Sequence, residues 1–205
     1  MEKVILTAFT DPMMGLSYES EPIMDRLQKE YGDMIELKNF CALLVRDVSD
    51  FMTPEERALK PEEGISLYCR RLARIYKSEE SVGGLPINMD NFCLFDKDHR
   101  SSKPLNLAYK AAQLAAPDKA DGFLIALSHA TVIDCLPTTH FDIIMKVVRA
   151  SGINEDAFIL HYQDGSAEAA LNEDLAFARR LGIPSLPAYL IQYNGHASIQ
   201  QRVSG

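Results

Sequence analysis

The chain has 205 residues, 47% hydrophobic and 24% charged, enough apolar material for one well-buried core carrying an inserted subdomain. Its formal charge of −8, with no Lys/Arg cluster, leaves out the concentrated basic face that phosphate backbones and anionic lipid require, so no nucleic-acid or membrane partner is expected. No apolar run approaches the roughly 18 residues of a membrane helix, and Met1-Glu2-Lys3 ahead of Val4–Phe9 offers neither a signal-peptide core nor a cleavage site, so a cytoplasmic location is expected.

Taken in chain order, Val4 to Thr10 combines β-branched and aromatic residues in a short run that stops at Thr10-Asp11-Pro12, which predicts a buried strand. Glu19 to Tyr31 predicts a helix, with Ile23, Met24, Leu27 and Tyr31 at helical spacing, Ser17 as its N-cap and Gly32 at its end. Ile35 to Val45 returns to strand composition and completes a β-α-β unit. Pro61 to Tyr76 reads as an amphipathic helix, 81 to 104 as a Gly- and Pro-rich loop, and Leu105 to Ala115, Asp118 to Ala130 and Thr138 to Ala150 as further helices. A helix capped by Ser166 runs to Arg180 before Gly182. The strand Ala188 to Tyr193, the hairpin dipeptide Asn194-Gly195 and a second strand, His196 to Val203, follow. The expected architecture is α/β, with residues 1–54 and 166–205 forming a mixed-sheet domain and 55–165 an inserted helical subdomain.

The four cysteines, Cys41, Cys69, Cys93 and Cys135, are separated by 28, 24 and 42 positions, which matches neither a zinc pattern nor C-x-x-C; reduced thiols acting as small apolar residues are expected. His99, His129 and His140 are far apart in sequence, and His161 and His196 have no partner pattern, so no metal site is expected. The pairs Glu55-Glu56, Glu62-Glu63 and Glu79-Glu80 read as helix-end or loop charges.

The segment from Phe9-Thr10-Asp11-Pro12 through Met13-Met14-Gly15-Leu16-Ser17-Tyr18 to Glu21-Pro22 resembles the active-site region of the DsbA-like thioredoxin-fold family, which includes the cytoplasmic dithiol-disulfide isomerases. The resemblance extends over Leu43-Leu44-Val45-Arg46-Asp47, Gly84-Leu85-Pro86-Ile87, Ser101-Ser102-Lys103-Pro104 with Ala108 to Leu114, and Ala178 to Ile183 ending in Leu186-Pro187-Ala188. It implies a thioredoxin-like fold of DsbA type, with a further helix following the last strand, where two residues follow Val203. It also implies a cis-proline at Pro187 facing the active-site loop.

Placed on that family's pattern, Met14 takes the position of the first redox cysteine and Ser17 that of the second. A thioether cannot ionise and a serine hydroxyl is too weak an acid to resolve a mixed disulfide, so dithiol exchange at this loop is not expected. The resemblance then implies a protein that keeps a binding site, made by Met13, Met14, Gly15, Leu16, Ser17, Leu186 and Pro187, for an extended peptide or a small thiol such as glutathione. A precedent in the same broad family is the bacillary adaptor that presents a transcription regulator to a protease. An alternative is a glutathione-dependent transferase or isomerase resembling the kappa glutathione transferases and hydroxychromene-carboxylate isomerases, which carry serine at the first position rather than the second. A third is a homodimer joined through the inserted helices. Cys41, on the second strand, is the one thiol expected near the site.

Overall fold

A computed structural model describes residues 3–194 and 196–201. Four strands form one mixed sheet in the order β2-β1-β3-β4: β1 (Val4–Thr10), β2 (Ile35–Cys41), β3 (Ala188–Tyr193) and β4 (His196–Gln201). β1 runs parallel to β2 with Val4 opposite Ile35, and antiparallel to β3 with Phe9 opposite Ala188. β3 pairs antiparallel with β4, Tyr193 opposite His196. The expected turn residue Gly195 and the end of the last strand at Val203 lie outside the described residues.

β2 ends at Cys41 rather than Val45. Past Ala42 the chain leaves the sheet at Leu43, whose φ of 46° is left-handed. The Leu44 and Val45 N–H groups turn to buried side chains instead, Asp11 Oδ2 at 2.8 Å and Ser102 Oγ at 3.2 Å. Two polar groups inside the core thus outbid the ladder for an apolar segment of strand-like composition.

Nine α-helices are present among the described residues. α1 (Gly15–Tyr18) and α2 (Glu21–Tyr31) replace the single helix expected from Glu19. α3 (Pro54–Ala58) was not foreseen, although Thr53 and Glu56 form a reciprocal capping box, Thr53 Oγ1 accepting from Glu56 N–H and Glu56 Oε2 accepting from Thr53 N–H. α4 (Pro61–Gly83) runs past Tyr76 to its stop at Gly84, where φ is +82°. α5 (Lys103–Ala115), α6 (Ala120–Val132) and α7 (Phe141–Ala150) follow. α8 (Glu155–Gln163) starts where Asn154 Oδ1 accepts from Ala157 N–H at 2.9 Å. α9 (Ser166–Arg180) is preceded by left-handed Gly165, so Ser166 is its first residue and not its cap. None of these helices is long and apolar enough to cross a membrane.

The main apolar cluster joins Met13, Tyr18 and Cys41 to buried residues of α4 through α9. One sheet face packs on α9: Phe9, Ala188 and Leu190 meet Phe177 and Ala178. The other face is different. α2 buries none of its residues and leaves Ile23 and Tyr31 exposed, so its apolar stripe does not close onto the sheet.

Candidate functional site

The loop after β1 is organised by Asp11, a fully buried carboxylate. Its Oδ1 accepts from Met13 N–H at 3.2 Å, and its Oδ2 accepts from Leu44 N–H at 2.8 Å, Ser102 Oγ at 2.6 Å and Asn106 Nδ2 at 2.9 Å. Burial raises its pKa against these donors. One side chain thereby ties the loop ahead of α1 to the segment leaving β2 and to the start of α5. Its signal in the sequence was only that of a turn residue before proline.

The expected site residues fall into two groups. Met13 is wholly buried, its carbonyl accepting from Tyr76 Oη at 2.7 Å, and Met14, the residue preceding α1, is 5% exposed. Both are buried and, unlike Ser17 and Pro187, neither lines the cavity on the uncovered sheet face: the loop folds back over α4 and meets Tyr76. Gly15 is also buried, and a Cβ there would run into the Glu79 carboxylate. Leu16 and Ser17 are half-buried. Ser17 lies inside α1 and caps nothing; its hydroxyl is 2.6 Å from that of Thr10.

The Leu186-Pro187 peptide bond is cis. Pro187 and Ser17, far apart in sequence, line one cavity of about 540 Å³ together with Pro12 and Thr10. The cavity runs along the uncovered sheet face from these residues at the C-terminal end of β1 to Lys3 and Ile35 at the other end. Its floor is Leu6, Ala8, Leu37 and Tyr189, and its walls come from Met24 of α2 and from Leu124 and Ile125 of α6. Glu21 Oε2 and His129 Nε2, 2.7 Å apart, join the two walls. Burial raises the Glu21 pKa while the His129 hydrogen bond opposes it. Tyr18, edge-on to His129, donates its hydroxyl to Pro86 O at 3.0 Å.

No cysteine lines this cavity. Cys41, expected nearby, is wholly buried, its N–H donating to Asp174 Oδ2 at 2.8 Å, and burial pushes its thiol well up. It is a core residue. His99 and His140, which sequence distance kept apart, stack at 3.8 Å, and both bond to the Asp96 carboxylate at 2.9 Å. Their ligand atoms lie within 4.8 Å of one another, a nitrogen and oxygen donor set of the kind that suits a divalent transition ion, set apart from the cavity-lining residues.

The chain is similar to two curated proteins, the ClpXP adapter proteins SpxH of Shouchella clausii (23% identity over 197 residues, 96% of this chain) and of Halalkalibacterium halodurans (22% over 182 residues, 89% of this chain). It spans 60% and 56% of their respective lengths. Among solved structures it resembles a protein assigned as a disulfide isomerase from Nitrosomonas europaea, at TM-score 0.76 and 19% identity, covering 97% of this chain and 89% of the other. It also resembles the cytosolic disulfide reductase DsbM from Pseudomonas aeruginosa, at TM-score 0.69 and 15% identity, covering 96% and 89%. A family model described as Thioredoxin matches residues 8–204, and the chain belongs to that family, in the DsbA-like form of its fold.

Proposed function

We propose that the protein is a DsbA-like binding protein that uses the cavity beside Ser17 and Pro187 to hold an extended, partly apolar peptide, without dithiol exchange at the Met14–Ser17 loop. The observation that carries this reading is the cavity itself. It has the volume of a ligand site, an apolar floor and a few polar groups at its ends, and it contains no thiol. Met14 stands where the family's nucleophile is expected and has no ionisable group. The two ClpXP adapter relatives support an output of binding rather than turnover, and a cytoplasmic location belongs to the same reading.

The test is titration of the isotopically labelled protein with unstructured, cysteine-free peptides, followed by amide chemical shifts. Shifts centred on Tyr189, Leu37, Leu124 and Ser17 are expected. A glutathione transferase or isomerase is the second reading, because a 2-hydroxychromene-2-carboxylate isomerase shares the fold at TM-score 0.61. Glutathione at millimolar concentration should then raise the melting temperature by mass action; absence of a shift removes that reading, and absence of peptide shifts removes the first.

A further inference from the structure

Cys69 and Cys93 meet in the structure: their sulfurs are 2.9 Å apart, although 24 positions separate them and both are free thiols. A covalent S–S bond measures about 2.05 Å, so this is a thiol pair sharing a hydrogen bond. Cys69 lies on the buried face of α4, and Cys93 is exposed on the loop between α4 and α5. The approach is held on both sides. Phe92 and Leu94 are buried, the Phe92 ring packs against Tyr76 at 5.6 Å and Phe95 against Tyr68 at 6.1 Å. The Phe95 carbonyl lies within hydrogen-bonding reach of both sulfurs, 3.6 Å from Cys69 Sγ and 3.2 Å from Cys93 Sγ, and can accept from whichever thiol does not donate to the other.

We propose that Cys69 and Cys93 are a redox-active dithiol separate from the Met14–Ser17 loop, in which the exposed Cys93 reacts with low-molecular-weight disulfides and the buried Cys69 resolves the product. The Cys93 thiolate attacks one sulfur of the disulfide RSSR; that S–S bond breaks, a Cys93–SR bond forms, and RS⁻ leaves, taking up the proton Cys93 has lost. Cys69 then attacks the Cys93 sulfur, the Cys93–SR bond breaks, and a second RS⁻ leaves with the Cys69 proton. Two protein thiols are oxidised to one disulfide and one RSSR is reduced to two RSH.

The surroundings assign the roles. Cys93 is the reachable sulfur, and the hydrogen bond it shares with Cys69 lowers its pKa to about 7, against desolvation and the nearby Asp96. Sharing that bond and burial both raise Cys69. The remaining cysteines do not compete: Cys41 is sealed in the core, and the Cys135 thiol donates to Asn88 O at 2.7 Å on a different loop. The new bond would pin the loop after α4, whose Pro86 carbonyl holds Tyr18 beside the cavity. This dithiol does not depend on the peptide-binding reading.

The test is equilibration of the full chain with oxidised and reduced glutathione over a range of ratios, acid quenching, alkylation and mass spectrometry with peptide mapping. The expected product has lost two hydrogens and yields one Cys69–Cys93 linked peptide, with Cys41 and Cys135 alkylated. Cys93→Ser, at an exposed position, should remain fully reduced, and Cys69→Ala should stop at a single glutathionyl adduct on Cys93. Four alkylated cysteines at every ratio, or a glutathionyl adduct on Cys93 that persists in the unmodified chain, would overturn the assignment.

Discussion

The Ser17 hydroxyl lies 2.6 Å from the Thr10 hydroxyl, so the serine that follows Gly15-Leu16 locks α1 to the end of β1 instead of capping a helix. Ser17→Ala should therefore lower stability by about 1 kcal/mol, the net value of one such hydrogen bond, in denaturant unfolding. A larger loss would mean that the hydroxyl holds more than Thr10.

The same loop sets a test of the proposal that no dithiol exchange takes place there. In a Cys69→Ala, Cys93→Ser background the chain should be inert in insulin reduction, and Met14→Cys with Ser17→Cys should introduce measurable activity, because a thiol at 14 would precede the first turn of α1. The Glu79 carboxylate against Gly15 opposes a thiolate there. Adding Glu79→Gln should raise the activity further. Insulin turnover by the background chain would place redox chemistry somewhere other than these positions.

Asp11 accepts four hydrogen bonds in a site closed to water. Asp11→Ala leaves the Leu44 N–H and Asn106 Nδ2 without an acceptor, and a loss of about 3 kcal/mol or more is expected; Asp11→Asn, which keeps one acceptor oxygen, should cost less. The pH dependence has a definite sign. Burial raises the folded pKa above the ordinary 3.8, so folding takes up a proton at this group. Its stabilising contribution is complete below 3.8 and is lost as pH rises through the raised folded value. Relative to Asp11→Asn, the unmodified chain should gain stability as pH falls through that window, measured as the difference between their melting temperatures.

Much of the fold was legible because it rests on local chemistry. The β1 boundaries follow from a short β-branched and aromatic run closed by Asp11-Pro12, those of β3 from an aromatic and aliphatic run between Pro187 and Asn194, and the α4–α7 helices from apolar spacing. What escaped was decided by contacts distant in sequence. Leu43-Leu44-Val45 has strand composition, yet Asp11 and Ser102 draw its N–H groups off the sheet. The α2 stripe has good periodicity, yet none of its residues is fully buried, because among the described residues its inner side opens on the cavity, which Met24 lines. In the site, the cis bond before Pro187 was implied by family resemblance alone, and the burial of Met13 and Met14 could not be read, since it depends on Tyr76 arriving from α4. The approach of Cys69 to Cys93 was equally invisible: a spacing of 24 residues has no local signature.

Lys110 and Asp174 form an ion pair almost closed to solvent, and Asp174 also accepts from Cys41 N–H. Burial raises the Asp174 pKa and Lys110 opposes it. Lys110→Met alone strands a buried carboxylate, with an expected loss of about 3–5 kcal/mol. Combined with Asp174→Asn, which keeps an acceptor for Cys41, the loss should be smaller than for Lys110→Met alone. A double-mutant cycle by denaturant unfolding measures the coupling, and simple additivity would show that the pair is not interacting as drawn.

The cavity makes the most direct prediction about binding. Its wall residue Ile125 is 41% exposed, so it contributes little to the core, yet it faces the same space as Leu37 and Tyr189. Ile125→Lys should leave the melting temperature nearly unchanged, because substitutions at exposed positions usually fall within about 0.5 kcal/mol. The same change puts a cation over an apolar floor that a peptide side chain would have to cover. Affinity for a cysteine-free peptide should then fall about tenfold, equivalent to roughly 1.4 kcal/mol. Ser17→Ala, where Ser17 and Pro187 line the cavity together, tests the opposite end and should weaken the same peptide less. Calorimetric titration of both variants separates the outcomes. Unchanged affinity in Ile125→Lys would mean that the peptide does not lie along the β1–β2 face, and the binding site would have to be sought away from the α2–α6 groove.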